Sequence, residues 1–338
     1  MDSRTYWQQR YKTETALQDH LYDSATPSME KTWAKTAQNI KDTINRYYDT
    51  VSDSTNPYAE MRVKLTRREL KTFKTRINNT LNTASSQAAQ LADTARKLLK
   101  PTRLQALNIE NTMHLYNAAQ TTSSQLTKLL EQVFDLADTF NQHTSTMLGI
   151  KFNTPSTTQK NSLLKQAWLG ENYSDRIWDN TSKLAATLET NMPRLFVTGI
   201  PQQDLARLIS QIHNVGYKQA KRLVVTEARK INTDADQLLY TQLNAKKYTF
   251  ITTRGGVCDT CNSLNNKTFN SKDMEVGVNA PPLHPNCRCT TIPAIDTKTN
   301  EKNILEAELA AVKKYGAYKM NGKLRDTATI QKEINSVQ

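Results

Sequence analysis

The chain has 338 residues, and 45 Lys plus Arg against 32 Asp plus Glu give a formal charge of +13. Only 37% of residues are apolar and 7% aromatic, below the roughly 45–50% apolar share of ordinary globular chains. With 9 Gly and 10 Pro in the whole chain, a large β-sandwich or barrel is excluded and long, thinly cored helices are expected, with disorder as the rival for some segments. No apolar run approaches the roughly 18 residues that a membrane-spanning helix needs, so no membrane association is expected. Met1 to Tyr22 shows no signal-peptide pattern, which points to a start in the cytosol. The length exceeds one domain of roughly 100–200 residues, so more than one is expected.

In chain order, Met29, Trp33, Ala37, Ile40, Ile44 and Tyr48 recur at spacings of three and four, lining one helix face until Asn56-Pro57 breaks it. Thr66 and Glu69 form a capping-box pattern, in which hydroxyl and carboxylate each take a backbone N–H at the start of a helix. Leu70, Phe73, Ile77 and Leu81 continue its stripe, and Pro101 closes it. From Leu104 to His143 the pattern fits one helix or two packed together. Gly149 to Thr158 reads as a linker, Gln159 to Met192 as helix interrupted at Leu169-Gly170-Glu171, and Leu205 to Leu243 as two helices around Gly216. Short strands are expected at Tyr248–Thr253, Lys267–Phe269 and Thr290–Ile292, separated by turns at Gly255-Gly256 and Asn265-Asn266. Residues 299–338 read as a charged tail with one helix, Glu301 to Tyr315. The fold class is therefore mainly α: an elongated helical N-terminal region (1–155), then a small α+β module with a Cys/His cluster (156–298), then the tail.

Two segments concentrate the charge. Arg62, Lys64, Arg67, Arg68, Lys71, Lys74 and Arg76 face Glu69 alone, and Lys218, Lys221, Arg222, Arg229 and Lys230 face Glu227. Such stripes suit sequence-independent contact with phosphates, a match to an acidic protein surface, or plain solvation. With no aromatic residues interleaved, base stacking is not expected.

All four cysteines, Cys258, Cys261, Cys287 and Cys289, fall in the last third of the chain. Cys258-x2-Cys261 is the spacing at which one tight turn offers two thiolates to a tetrahedral ion, and His284-x2-Cys287 repeats it. Four of the five donors Cys258, Cys261, His284, Cys287 and Cys289 would close the sphere of a structural zinc, with either His284 or Cys289 completing the set. A disulfide formed in an oxidising medium and plain buried thiols are the alternatives. Neither the zinc-protease nor the nucleobase-deaminase pattern is present, Glu275 reads as a solvated loop residue, and the other histidines lie singly on helices. No catalytic residue, enzymatic activity or small-molecule substrate is expected.

At these residues the chain resembles the Mu F-like head-morphogenesis, or minor head, proteins of tailed bacteriophages. The resemblance is carried by Thr226-Glu227-Ala228-Arg229 with Asn232, by Cys258-x2-Cys261 with Leu264 and Phe269, and by Pro281-Pro282-Leu283-His284-Pro285-Asn286-Cys287-Arg288-Cys289. Tyr173-Ser174-Asp175-Arg176-Ile177-Trp178 and Tyr6-Trp7-x2-Arg10 are similar to further family elements. Where the family commonly has Gly, this chain has Asn266, which tolerates a left-handed backbone. Where many members have an acidic residue before the first Cys, Arg254-Gly255-Gly256-Val257 stands instead. The resemblance implies a role in prohead assembly, a place in the virion at the head interior or portal vertex, and contact with portal, capsid or scaffold proteins and with DNA. It leaves open a zinc-stabilised DNA-binding protein acting outside the capsid. The Thr226/Glu227 pair is expected to be either a polar network at a helix–β junction or an exposed turn with Glu227 paired to Arg229 or Lys230.

Overall fold

A computed structural model describes residues 1–80, 86–197, 202–252, 257–295 and 300–337. Among these it is 72% helical, with eleven helices and a few short strands towards the C-terminus. Among the described residues no helix is long and apolar enough to cross a membrane. The chain forms two compact units from interleaved stretches: unit 1 from Met1–Thr26, Leu126–Tyr173 and Lys221–Gln338, and unit 2 from Pro27–Gln125 and Ser174–Ala220.

Helix α1 (Ser3–Asp49) runs through Pro27, which has no N–H to offer the preceding turn. Beside the proline, the Thr26 hydroxyl donates to the Tyr22 carbonyl at 2.8 Å. In unit 2 the predicted face of α1 is buried, with Trp33, Ala37, Ile40 and Ile44 in one apolar cluster. A short α2 (Pro57–Met61) is capped by Asn56, as the Asn-Pro signal suggests. The expected helix from Thr66 towards Pro101 is present as α3 (Arg67–Thr80) and α4 (Ser86–Lys97), while Leu81 lies outside the described residues. The capping box at its start is formed: Thr66 N donates to Glu69 Oε2 at 2.7 Å, and Glu69 N to Thr66 Oγ1 at 3.3 Å.

The next stretch resolves as a single helix, α5 (Arg103–Met147). After the linker come α6 (Thr157–Lys165), opened by a Ser156–Gln159 capping box, and α7 (Tyr173–Val197). The break expected at Gly216 does not occur, because α8 (Gln202–Gln242) continues through it. Gly216 serves packing instead. A Cβ there would lie 2.2 Å from the Trp33 ring, so the missing side chain admits the indole within unit 2.

The α+β part lies in unit 1. Strands β1 (Lys247–Ile251), β2 (Thr268–Asn270) and β3 (Thr290–Pro293) form an antiparallel sheet in the order β2-β1-β3, with Tyr248 opposite Phe269 and Phe250 opposite Thr291. A six-residue helix, α9 (Asp259–Leu264), follows β1. Thr253 and the Gly255-Gly256 turn lie outside the described residues, as does Arg254. Asn266 adopts φ 62°, the left-handed backbone that its side chain tolerates. Near the start of α1, Tyr6 Oη donates to Asn303 Oδ1 at 2.6 Å and lies 3.0 Å from Thr144 Oγ1, joining three distant stretches of unit 1.

The tail departs from the single expected helix. Beyond α10 (Glu301–Tyr315) it forms a hairpin, β4 (Tyr318–Met320) and β5 (Lys323–Arg325), and a last helix, α11 (Thr327–Ser336). Asn321 and Gly322 make the turn at φ 52° and 77°, the double positive φ that Asn-Gly supplies in tight hairpins. Asp326 caps α11. Buried Glu308 explains how so charged a segment stays folded: Arg325 pairs with it at 2.6 Å and Tyr318 Oη donates to it at 2.7 Å.

Candidate metal centre

Three short pieces of chain bring the cysteines together in unit 1. Cys258 is the N-cap of α9, its Sγ accepting from the Cys261 N–H at 3.4 Å, so the Cys-x2-Cys spacing is one helical turn with both sulfurs on its mouth. His284 and Cys287 arrive on the loop before β3, where the Cys287 N–H donates to the His284 carbonyl at 3.1 Å and Asn286 takes φ 63°. Cys289 immediately precedes β3.

The His284 Nε2 lies 3.2 Å from both Cys258 Sγ and Cys261 Sγ, and Cys261 Sγ lies 3.8 Å from Cys287 Sγ. Two triads result, Cys258–Cys261–His284 and Cys261–Cys287–Cys289, with donor atoms within 4.8 Å of one another in each. Cys261 belongs to both. All four cysteines are free thiols; Cys258 is exposed and the others are buried. The apolar material around them is slight, Phe250 with Val257, Leu264, Phe269 and Leu283.

The protonation pattern is uneven. The Cys289 thiol's hydrogen bond, helped by backbone N–H groups, draws Cys287 down to about 5, and Cys289 is correspondingly raised. Burial pushes Cys261 up to about 12. The Cys261 N–H lowers Cys258. Burial would lower His284, but its contact with the Pro285 carbonyl and the nearby cysteine charges outweigh that and raise it. A divalent cation would resolve this conflict by holding every cysteine ligand as thiolate. Thiolates bound at about 2.3 Å to a tetrahedral zinc stand roughly 3.8 Å apart, and the Cys261–Cys287 spacing is 3.8 Å. The donor set is soft and borderline, as zinc prefers.

Helix α8 props the centre from behind. Thr226 Oγ1 accepts from the Asn286 N–H at 3.0 Å and donates to the Arg222 carbonyl at 2.7 Å, fixing the His-Pro-Asn-Cys turn. Glu227 is buried and accepts from Trp168 Nε1 at 3.0 Å. The pair is thus a polar network at the helix–β junction, and the exposed-turn alternative is ruled out. Two members of the second basic segment are likewise turned inward: Lys230 pairs with Asp234 at 2.6 Å and Arg229 is buried, which leaves Lys218, Lys221 and Arg222 exposed.

In unit 2, Arg62, Lys64, Arg67, Arg68 and Lys71 are exposed and Lys74 is half-buried. Arg76 is engaged differently, with Nη2 2.7 Å from Glu110 Oε1, a buried carboxylate that also accepts from Arg46 and Tyr47. One group that sequence reasoning missed is the buried set at the start of α1. Arg10 lies 3.6 Å from Glu14 and 3.7 Å from Asp236, and Gln18 donates to Asn232. Tyr6-Trp7-x2-Arg10 carries that signal, but only the fold shows α1 lying against the second half of α8.

Unit 1 is therefore a helical scaffold that closes a small sheet around a Cys/His knuckle. Residues 186–292, which include that knuckle and its supporting turn of α8, match the family model described as Phage Mu protein F like protein, so this part of the chain is similar to that family. No curated protein and no solved structure matches the chain.

Proposed function

We propose that the protein is a minor head protein that acts in assembling a phage prohead, sits at the portal vertex or head interior of the virion, and contacts portal, capsid or scaffold proteins. The observation that carries this reading is the joined motif itself. His284-Pro-Asn-Cys-Arg-Cys meets Cys258-x2-Cys261, and Thr226 locks the turn from within the segment that matches the phage family. The role is structural. Four of Cys258, Cys261, His284, Cys287 and Cys289 hold a zinc ion, which supplies folding energy to a sheet with few apolar residues and leaves no coordination position for substrate. Mass spectrometry of purified virions and proheads, with co-purification on tagged portal protein, tests the assignment: presence in the particles supports it, and absence from both particles and portal fractions removes it.

A second reading is a zinc-stabilised protein that binds DNA without sequence preference outside the capsid. The run of exposed cations from Arg62 to Lys71 favours it.

A further inference from the structure

We infer that the end of α1 and one face of α3 form a docking site in unit 2 for an acidic segment of a partner protein, anchored by a single apolar side chain. The inference extends the assembly reading above to the chemistry of a partner, and it does not depend on a bound metal. A cavity of about 220 Å³ opens between the two helices. It is smaller than the roughly 300–1,000 Å³ of small-molecule sites and suits one side chain. Its wall is mostly carbon, from Tyr47 and Thr50 on α1, Leu65 on the connection, and Thr72 with the arginine stems on α3. Arg68, Thr72 and Arg76 recur every four residues and so share one face of α3.

The wall is fixed before anything binds. Glu110 accepts from Tyr47 Oη at 2.7 Å, from Arg76 Nε at 3.0 Å and Nη2 at 2.7 Å, and from Arg46. Glu69, the acid in this wall, is held by Arg103 at 2.8 Å and by the Thr66 N–H at 2.7 Å. The Leu65 N–H donates to the Pro101 carbonyl at 2.9 Å, which pins the connection. On the opposite side of α3, Phe73 and Ile77 are buried in the apolar cluster of unit 2. A preformed wall spares a ligand the cost of ordering it.

Charge selects the occupant. Glu110 offsets only one of the two arginines it holds, and the Arg46 and Arg76 side chains remain 41% and 30% exposed. Arg68 is exposed, and among the described residues its guanidinium makes no ion pair or hydrogen bond. Arg67 and Lys71, one residue before it and three after, are exposed as well. Excess positive potential around an apolar hole is complementary to an acidic chain that carries one apolar residue. Duplex DNA would use the cations alone, because its phosphates have no apolar group to put into the hole.

The test uses the full chain and short labelled peptides of Glu and Asp with Leu, Phe or Ser at the centre, read by fluorescence anisotropy. The Leu- and Phe-centred peptides should bind about 10-fold or more tightly than the Ser-centred one, the fold-change expected for burying one such side chain. All three should weaken as salt is added. T72W fills the hole and keeps every cation, so it should abolish the preference while leaving the Ser-centred affinity at its wild-type value. R68Q should weaken all three peptides. Equal affinities for the three in wild type, or a preference that survives T72W, overturn the inference. So does a short DNA duplex that outcompetes the Leu-centred peptide and is itself weakened by T72W, since DNA would then be the occupant. Circular dichroism checks the fold, and should T72W fail to fold, T50W, which fills the hole from α1, decides by the same comparison. A preference found in a protein absent from virions supports the docking site and removes the assembly reading, whereas presence in virions without the preference removes the docking site alone.

Discussion

Gly216 and Asp236 each do something that a residue-by-residue scan misassigns. A glycine inside a helical pattern signals a break, yet Gly216 is where the Trp33 indole comes to within 2.2 Å of the position a Cβ would take. Alanine there would gain about 1 kcal/mol of helix propensity. Overpacking a tight contact costs about 1–3 kcal/mol, and a flat indole in a buried cluster has little room to yield. G216A is expected to lower the thermal midpoint, with W33L recovering part of the loss; an unchanged or raised midpoint in G216A would remove the packing role. Asp236 gives a pH signature. Burial raises its folded pKa to about 7 from an ordinary 3.8, so the folded chain keeps a proton that the unfolded chain has lost. The stability linked to this group is fully present below the unfolded value and declines as pH rises through about 7. Urea midpoints across that interval should fall less steeply in D236N than in wild type, and equal slopes would contradict the assignment. Asn266 is the opposite case, legible beforehand, because its left-handed backbone follows from the local turn alone.

Among the elements, α3 shows how charge on a helix divides by task. Its capping box and apolar stripe are readable in the sequence because both depend on spacings of three and four. What spacing cannot show is that Arg76 is spent on a carboxylate, Glu110, contributed by α5. The remaining cations make the DNA reading testable. If they touch phosphates, neutralising Arg67, Arg68, Lys71 and Lys74 together should weaken duplex binding and lower the salt-dependence slope by about 0.9 for each phosphate no longer neutralised. The helix should remain folded, because Thr66, Glu69 and the buried Phe73 and Ile77 are untouched. Binding and slope indifferent to the change would take α3 out of any nucleic-acid interface. The hairpin of β4 and β5 is also available to sequence reading, since Asn321-Gly322 is a strong local turn signal, but the surrounding charge obscures it. Its stability depends on Glu308, ten or more residues away from its partners in the chain, and such a pairing leaves no local pattern.

At the scale of the molecule, the expected order of domains and the observed units are organised differently. Unit 1 draws on residues 1–26, 126–173 and 221–338, so a segment cut at 156–298 carries the cysteine knuckle without Tyr11, Tyr6, Thr144 or Asn303. Expressed alone with zinc, that fragment is expected to lack a cooperative unfolding transition that the full chain shows. A sharp two-state transition of the isolated fragment would mean that the knuckle folds independently of the helices around it. The composition indicates a mainly helical chain, and that holds. The sequence motif marks where the centre is; the interleaving that supports it depends on pairings hundreds of residues apart.

The hydrogen bond from Tyr6 to Asn303 spans 297 positions of the chain. A ribosome makes the first of these residues long before the second. Until then Tyr6 waits without that partner, although Arg10 on the same turns can already meet Asn141 and Asp236. Loop closure over such a span is slow compared with local helix formation. Unit 1 can therefore close only after Asn303 has been made, and a chain cut before it would leave Tyr6 without a hydrogen bond that the folded unit supplies.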